Sequence, residues 1–239
     1  LPKWNEWMER WPTPKDLATA TPAQVITAWG RLGYPRRALR LHAAAQIIAE
    51  DFNNKVPEDQ ETLQLLPGIG EYTAAAIAAF AFEQRSLVMD INIRRLLVRA
   101  IDGEEHPKPA PTAQEKSRRL AILPTKNAHV WAAATMELGA LVCTSKNPSC
   151  ELCPIIGQCQ WRKNGYPKTD LVRKSQDWHG TDRKCRGTIV QALRENESLT
   201  ELAIKKLWPD ESQVEKALIT LLEDQLIQAL PRKRYRLPQ

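Results

Sequence analysis

Asp90-Ile91-Asn92 opens a stretch in which Ile93, Leu96, Leu97, Ala100 and Ile101 recur at i, i+3, i+4, i+7 and i+8. That is the period of a helix with one buried face. An Asp at this place reads as the N-cap, its carboxylate accepting from the first free backbone N–H groups. The same donors, with the helix dipole, favour the ionised form. An anion fixed in this way can stabilise positive charge that develops on a sugar as a glycosidic bond breaks. Upstream lies Leu65-Leu66-Pro67-Gly68-Ile69-Gly70-Glu71-Tyr72, followed by an alanine-rich run. Pro67 fixes one backbone torsion, while Gly68 and Gly70 permit positive φ and present no side chain. A glycine hairpin that opens a helix points unpaired N–H groups outward, where a phosphate can sit. The plain alternative is an αα-corner that binds nothing.

A second group is made of sulfur. Cys143, Cys150, Cys153 and Cys159 are separated by six, two and five residues. Four thiolates so close together can hold zinc or a 4Fe–4S cluster, since both accept an all-cysteine ligand set. Structural zinc sites usually pair two short Cys-x-x-Cys knuckles, and here only Cys150 and Cys153 form one. Cys185 lies outside the pattern and reads as an ordinary free cysteine.

The elements that must position these groups are mostly helical. Trp4, Trp7, Met8 and Trp11 form an apolar stripe that Pro12 and Pro14 end. A helix pair over 15–29 turns at Thr21-Pro22. Gly30-Arg31-Leu32-Gly33-Tyr34-Pro35-Arg36-Arg37 is a second glycine-rich turn, ahead of a helix from Ala38 to about Glu50. A short helix from Pro57 feeds the hairpin, and the alanine-rich helix runs from Tyr72 to about Phe82. Residues 103–111 read as a linker or surface loop. Helices follow over 112–123 and 129–141, the latter with Trp131, Ala134, Leu138 and Leu141 on one side. Residues 165–179 are polar and lack periodicity. Helices over about 183–195, 199–207 and 211–224, then short strands at 226–230 and 234–237, predict a small winged-helix-like α+β unit. The expected organisation is 1–102, 103–165, a linker at 166–180, and 181–239.

The chain has 239 residues, is 43% hydrophobic and carries a net charge of +6. It is long enough for one large or two small domains, and its mild basicity suits nucleic acid. No apolar run is long enough to span a membrane. Four clustered cysteines among five suit a reducing compartment better than a disulfide scaffold.

Leu66-Pro67-Gly68-Ile69-Gly70, then about twenty residues, then an Asp that opens a helix, resembles the helix-hairpin-helix DNA glycosylase superfamily. Gly70-Glu71-Tyr72-Thr73-Ala74 and Asp90-Ile91-Asn92-Ile93-Arg94-Arg95 resemble most the A/G-specific adenine glycosylases, the MutY family, and the cysteine spacing is that of their cluster loop. The resemblance implies a mainly α fold: a six-helix barrel with a [4Fe-4S] loop domain, the cluster being chiefly structural. It implies hydrolysis of the N-glycosidic bond of adenine mispaired with 8-oxoguanine or guanine in double-stranded DNA, by a monomer in the bacterial cytoplasm at the nucleoid. Asp90 would carry the chemistry, supported by Tyr72 and Asn92. Pro67, Gly68, Ile69 and Gly70 would grip DNA, and Tyr34 would insert into the base stack. The endonuclease III branch carries a catalytic Lys where Tyr72 stands, so no Schiff base can form here and a monofunctional enzyme is expected. Family members carry a catalytic Glu and a Gln-Thr-Gln-like wedge in a segment before the position of Leu1, and neither lies in these 239 residues. The short tail resembles that of actinobacterial members and departs from the larger Nudix-like domain of other relatives. Other readings are a thymine or uracil mismatch glycosylase of the same superfamily, and a non-catalytic DNA-binding module.

Overall fold

The computed structural model describes residues 2–169 and 180–239; most of the linker expected over 166–180 lies outside the described residues. The chain is mainly helical, in the order α1 (Pro2–Arg10), α2 (Pro14–Ala18), α3 (Pro22–Trp29), α4 (Arg36–Asp51), α5 (Gln60–Leu65), α6 (Glu71–Phe82), α7 (Ile91–Leu97), α8 (Ala113–Ile122), α9 (Ala128–Leu141), α10 (Gln160–Lys163), α11 (Asp182–Glu195), β1 (Leu199–Thr200), α12 (Glu201–Lys205), α13 (Glu211–Glu223), β2 (Gln228–Leu230) and β3 (Arg234–Arg236). Contacts divide it into two compact units. One comprises Leu1–Pro57, Leu66–Gly68 and Lys174–Gln239, and the other Glu58–Leu65 and Ile69–Arg173.

In the first unit, Thr13 and Thr21 each form a capping box, with Asp16 and Gln24 three residues on, and a proline follows each cap. This local chemistry sets the starts of α2 and α3. Trp7 and Trp11 stack edge-on, and Trp7 meets Trp29 in the same way at 5.7 Å. Trp4 and Met8, expected in the same core stripe, are exposed instead. Only the Trp7–Trp11 edge of the stripe meets α3, so the buried face is narrower than the sequence pattern.

The C-terminal residues follow the expected winged-helix order, with one strand more than the two foreseen. β1 pairs antiparallel with β3, which pairs with β2. The strand Leu199–Thr200 is too short to show alternation in the sequence. Its core is Cys185, Ile189, Leu193, Ile204, Val214, Leu218, Leu221 and Leu226, and Ile26 of α3 sits among them. Cys185 is fully buried, and burial first, then Asp182 and Asp210, pushes its thiol up to about 11.

In the second unit α7 packs chiefly against α9. The expected stripe on α9 is out of phase: Ala134 and Leu141 are exposed, whereas Ala128, Ala132 and Gly139 are buried. The true face lies roughly a third of a helical turn away. Close approach to α7 selects the smallest side chains rather than the bulkiest. A Cβ on Gly139 would lie 2.5 Å from the Asn92 carbonyl oxygen. After Leu97 the helix widens into a π turn, Val98–Asp102, which leaves Ile101 45% exposed although the sequence period places it inside.

Candidate functional site

The hairpin between α5 and α6 divides its two glycines by role. Gly68 has φ +82, and a Cβ there would lie 2.8 Å from the Arg40 Cβ, so both torsion and space require glycine. Gly70, also expected to use positive φ, sits at φ −94 as the N-cap of α6. Its torsion suits any residue. What glycine supplies there is room, since a Cβ would meet nothing within 4 Å. No side chain caps this helix end, so the first N–H groups of α6 are left for solvent or an anion. Pro67, ahead of Gly68, and Ile69, between the two exposed glycines, are half-buried, and Ala74, Ala75, Ala78 and Ala79 bury the far face of α6.

Asp90 caps α7 as the sequence predicts. The backbone N–H groups of Asn92 and Ile93 donate to its Oδ1 at 2.7 and 2.9 Å. Among the described residues, Oδ2 takes only a long contact from Asn92 Nδ2, at 3.5 Å. Tyr72, on the first turn of α6, lies close enough to be affected: partial burial, and then the Asp90 charge, raise its phenol above the ordinary value. The structure thus brings Tyr72, Asp90 and Asn92 together.

Behind Asn92 runs a set of buried arginines. Arg95 donates from Nη2 to Asn92 Oδ1 at 2.9 Å and to the Gly139 carbonyl at 2.5 Å, and from Nε to the Cys143 carbonyl at 2.7 Å. Arg99, 1% exposed, lies 3.4 Å from Cys143 Sγ, donates to the Thr144 and Ser145 carbonyls, and stacks 4.6 Å over Trp161. Arg94 forms a bidentate pair with Glu115, at 2.9 and 2.8 Å. Buried guanidinium groups that satisfy several carbonyls tie loops rigidly to a helix.

The four cysteines of the spaced quartet line one small cavity together with Leu96, Arg99 and Trp161. Burial first, and then the neighbouring sulfurs, raise the Cys150 and Cys153 thiols. Among the described residues, no group of three or more His, Cys, Asp or Glu is arranged to hold a single metal ion.

Tyr34 belongs to the other unit. It is 54% exposed at φ +49. Arg37 and Arg183 both stack on its ring, at 4.8 and 4.2 Å.

Residues 1–121 match the family described as HhH-GPD superfamily base excision DNA repair protein. The chain is 44% identical over 239 residues to the adenine DNA glycosylase of Mycobacterium tuberculosis, covering 98% of this chain and 78% of that protein. Identity to the Mycolicibacterium smegmatis adenine DNA glycosylase is 42%, over 99% and 80% of the two chains. This chain belongs to the adenine DNA glycosylases of the HhH-GPD superfamily. Solved structures agree on the fold: a thermostable thymine-DNA glycosylase matches at TM-score 0.63 and 20% identity, covering 68% of this chain and 76% of that one. An endonuclease III–DNA complex matches at 0.59 and 21%, covering 70% and 77%.

For an adenine DNA glycosylase chain, the sequence located the hairpin and the capping Asp but not what stands behind them. Arg95, Arg99 and Gly139 carry the link from Asn92 to the cysteine loop. No signal marked them: Arg94, Arg95 and Arg99 lie off the apolar face set by Ile93, Leu96, Leu97 and Ala100, where a sequence pattern reads cations as solvated. No helix among the described residues is long and apolar enough to cross a membrane.

Proposed function

We propose that the chain hydrolyses the N-glycosidic bond of adenine mispaired with 8-oxoguanine or guanine in duplex DNA. One observation carries this: Asp90 spends Oδ1 on two backbone N–H groups and leaves Oδ2 with only a long contact. The capped oxygen fixes the carboxylate; the other is the acceptor for a cationic sugar. The α6 N-terminus at Gly70 would hold a backbone phosphate, and the adenine would be turned out of the stack to reach the site. As the bond breaks, the base leaves with the electron pair, Asp90 stabilises the oxocarbenium-like sugar, and water adds to it and gives up one proton, the departing adenine gaining one, so that free adenine and a sugar hydroxyl result. Asn92, held by Arg95, keeps Asp90 oriented, and Tyr72 lines the sugar's approach. Because Tyr72 offers a phenol rather than an amine, no Schiff base forms and the enzyme is monofunctional.

Cys143, Cys150, Cys153 and Cys159 would hold the [4Fe-4S] cluster that is common in this superfamily. A cluster takes one thiolate per iron and so asks for wider spacing than a single ion. That fits four sulfurs lining one cavity. When bound, the cluster braces the loop that Arg95 and Arg99 tie to α7. The protein would act as a monomer in the bacterial cytoplasm.

The test is single-turnover base release on duplexes carrying A:8-oxoG, A:G and T:G. It uses protein that also carries the Glu-bearing segment that the family resemblance places ahead of Leu1. Adenine release that Asp90→Asn abolishes, with DNA binding retained, is the expected result. Preference for the T:G duplex, or near-normal turnover by Asp90→Asn, would refute the reading.

A further inference from the structure

No Asp or Glu follows Asp224, yet Arg232, Lys233, Arg234 and Arg236 crowd into one short stretch. They belong to a hairpin in which β2 passes through Pro231, Arg232 and Lys233 into β3. Successive side chains of a strand point to opposite faces. Tyr235 packs against the buried core, whereas Arg234 donates to Ser198 and Arg236 to Gln228 Oε1. Arg232 and Lys233 are exposed at the tip. Among the described residues, none of the four cations forms an ion pair. The carboxylates of the same unit are spent on its helices: Glu211 and Glu215 pair with Lys205, and Asp224 pairs with Arg186. Glu215 also feels the Lys233 charge, but its ion pair is with Lys205, at 2.7 Å.

The tip is strained as well as charged. Arg232 has φ +60 and Lys233 has φ +52. This is the left-handed region, which hairpin turns fill with Asn or Gly because a larger side chain is crowded there. The Lys233 carbonyl accepts from the Glu201 N–H at 2.8 Å, which ties the turn to the start of α12. That bond uses backbone alone, so Asn-Gly would make it with less strain. Packing therefore accounts for the turn but not for two long cations in it. Strain that stability does not require is a mark of functional positions. The tip residues Pro231, Arg232 and Lys233 include no aromatic or large aliphatic side chain to anchor a protein interface. Flexible cations without a pocket suit repeated anions, and a nucleic-acid backbone supplies them.

We propose that the β2–β3 hairpin grips the phosphate backbone of duplex DNA, with Arg232 and Lys233 as the contacts. Arg234 and Arg236 strengthen the positive field behind them. The grip is indifferent to base sequence and to the lesion, because nothing at the tip reads a base edge. Part of the chain's affinity for DNA thus resides in its C-terminal residues. This rests on the DNA-repair reading above.

The test measures binding of the whole chain to an A:8-oxoG duplex and to an undamaged duplex of the same length across a salt series, with thermal unfolding alongside. Arg232→Asn with Lys233→Gly removes the charge and relaxes the torsions. Its Tm should equal or exceed that of wild type, while affinity falls several-fold on both duplexes. The slope of log affinity against log salt should become shallower by about 1–2, as expected for one or two lost phosphate contacts. Arg232→Gln with Lys233→Gln keeps the side-chain bulk and should lose the same slope. Arg232→Lys with Lys233→Arg keeps the charge and should retain the wild-type slope. A wild-type slope in both neutral variants, or a loss confined to the A:8-oxoG duplex, overturns the proposal while leaving the glycosylase reading in place. A wild-type chain that binds no duplex at all removes both.

Discussion

Arg95 donates to the carbonyl oxygen of Cys143 at 2.7 Å, and the same guanidinium holds Asn92, two residues after the capping Asp90. The cysteine loop and the candidate catalytic carboxylate are therefore held by one side chain. Arg95→Gln leaves the buried Gly139 and Cys143 carbonyls without their donor, at about 1–3 kcal/mol for each orphaned group. The expected outcome is a Tm lowered by on the order of 5–10 °C, together with reduced iron content and slower base release. Thermal unfolding, iron analysis and single-turnover kinetics on one preparation check this. Loss of iron with normal base release would show that the two regions are not coupled through Arg95.

Gly139 makes the same junction from the other side. A Cβ there would lie 2.5 Å from the Asn92 oxygen and 2.9 Å from its Cβ, and neither is the flexible end of a side chain. Gly139→Ala must push α9 away from α7 or shift Asn92, an overpacking cost of about 1–3 kcal/mol. Thermal unfolding should show the loss, and base release should fall by more than the folded fraction does. Activity that tracks folded protein alone would mean that Asn92 does not orient Asp90.

How much of this was legible in the sequence depends on how local the cause is. Asp90, Thr13 and Thr21 act within three residues, and the caps they make were readable or follow simple rules. The Gly68-Ile69-Gly70 turn was readable in outline, but not the division of labour, because the space around Gly68 is set by Arg40, far off in the chain. The phase of α9 is not legible in the sequence because bulk does not mark its buried face. Close helix contact rewards absence of bulk, and Gly139 and Ala132 look like nothing in a hydrophobic pattern. Arg95 and Arg99 were overlooked for a related reason: a buried arginine is identified by the carbonyls it satisfies, and those lie more than forty residues away at Gly139, Cys143 and Thr144.

The Arg94–Glu115 pair gives the second unit a pH dependence. Burial pushes the Glu115 carboxyl up, but its bonds to Arg94, the Arg94 charge and the Arg119 charge outweigh this and hold it below its ordinary value. A carboxyl depressed in the folded state contributes stability above its unfolded pKa and loses it as pH falls through the folded one. Stability should therefore be flat from neutral to weakly acid pH and should fall below about pH 4. Glu115→Gln should remove this component of the acid limb and destabilise the protein at pH 7, since it leaves Arg94 buried and unpaired. Chemical denaturation across pH 3–7 measures both. An acid limb identical in wild type and Glu115→Gln would show that other carboxylates set it.

Gly68 and Gly70 allow folding to be separated from DNA grip, because the same substitution meets different physics two residues apart. Gly68→Ala forces a side chain into the left-handed region and against Arg40, so it should cost about 1 kcal/mol or more and lower Tm. Gly70→Ala meets open space at an extended torsion, so its Tm should stay within error of wild type. If a phosphate is held on the bare N–H groups that open α6, the added methyl at Gly70 stands where the DNA backbone must come close. Gly70→Ala should then weaken binding to an A:8-oxoG duplex several-fold at constant stability. Equal affinity of wild type and Gly70→Ala would place the phosphate contact elsewhere, and the hairpin would reduce to a corner between two helices.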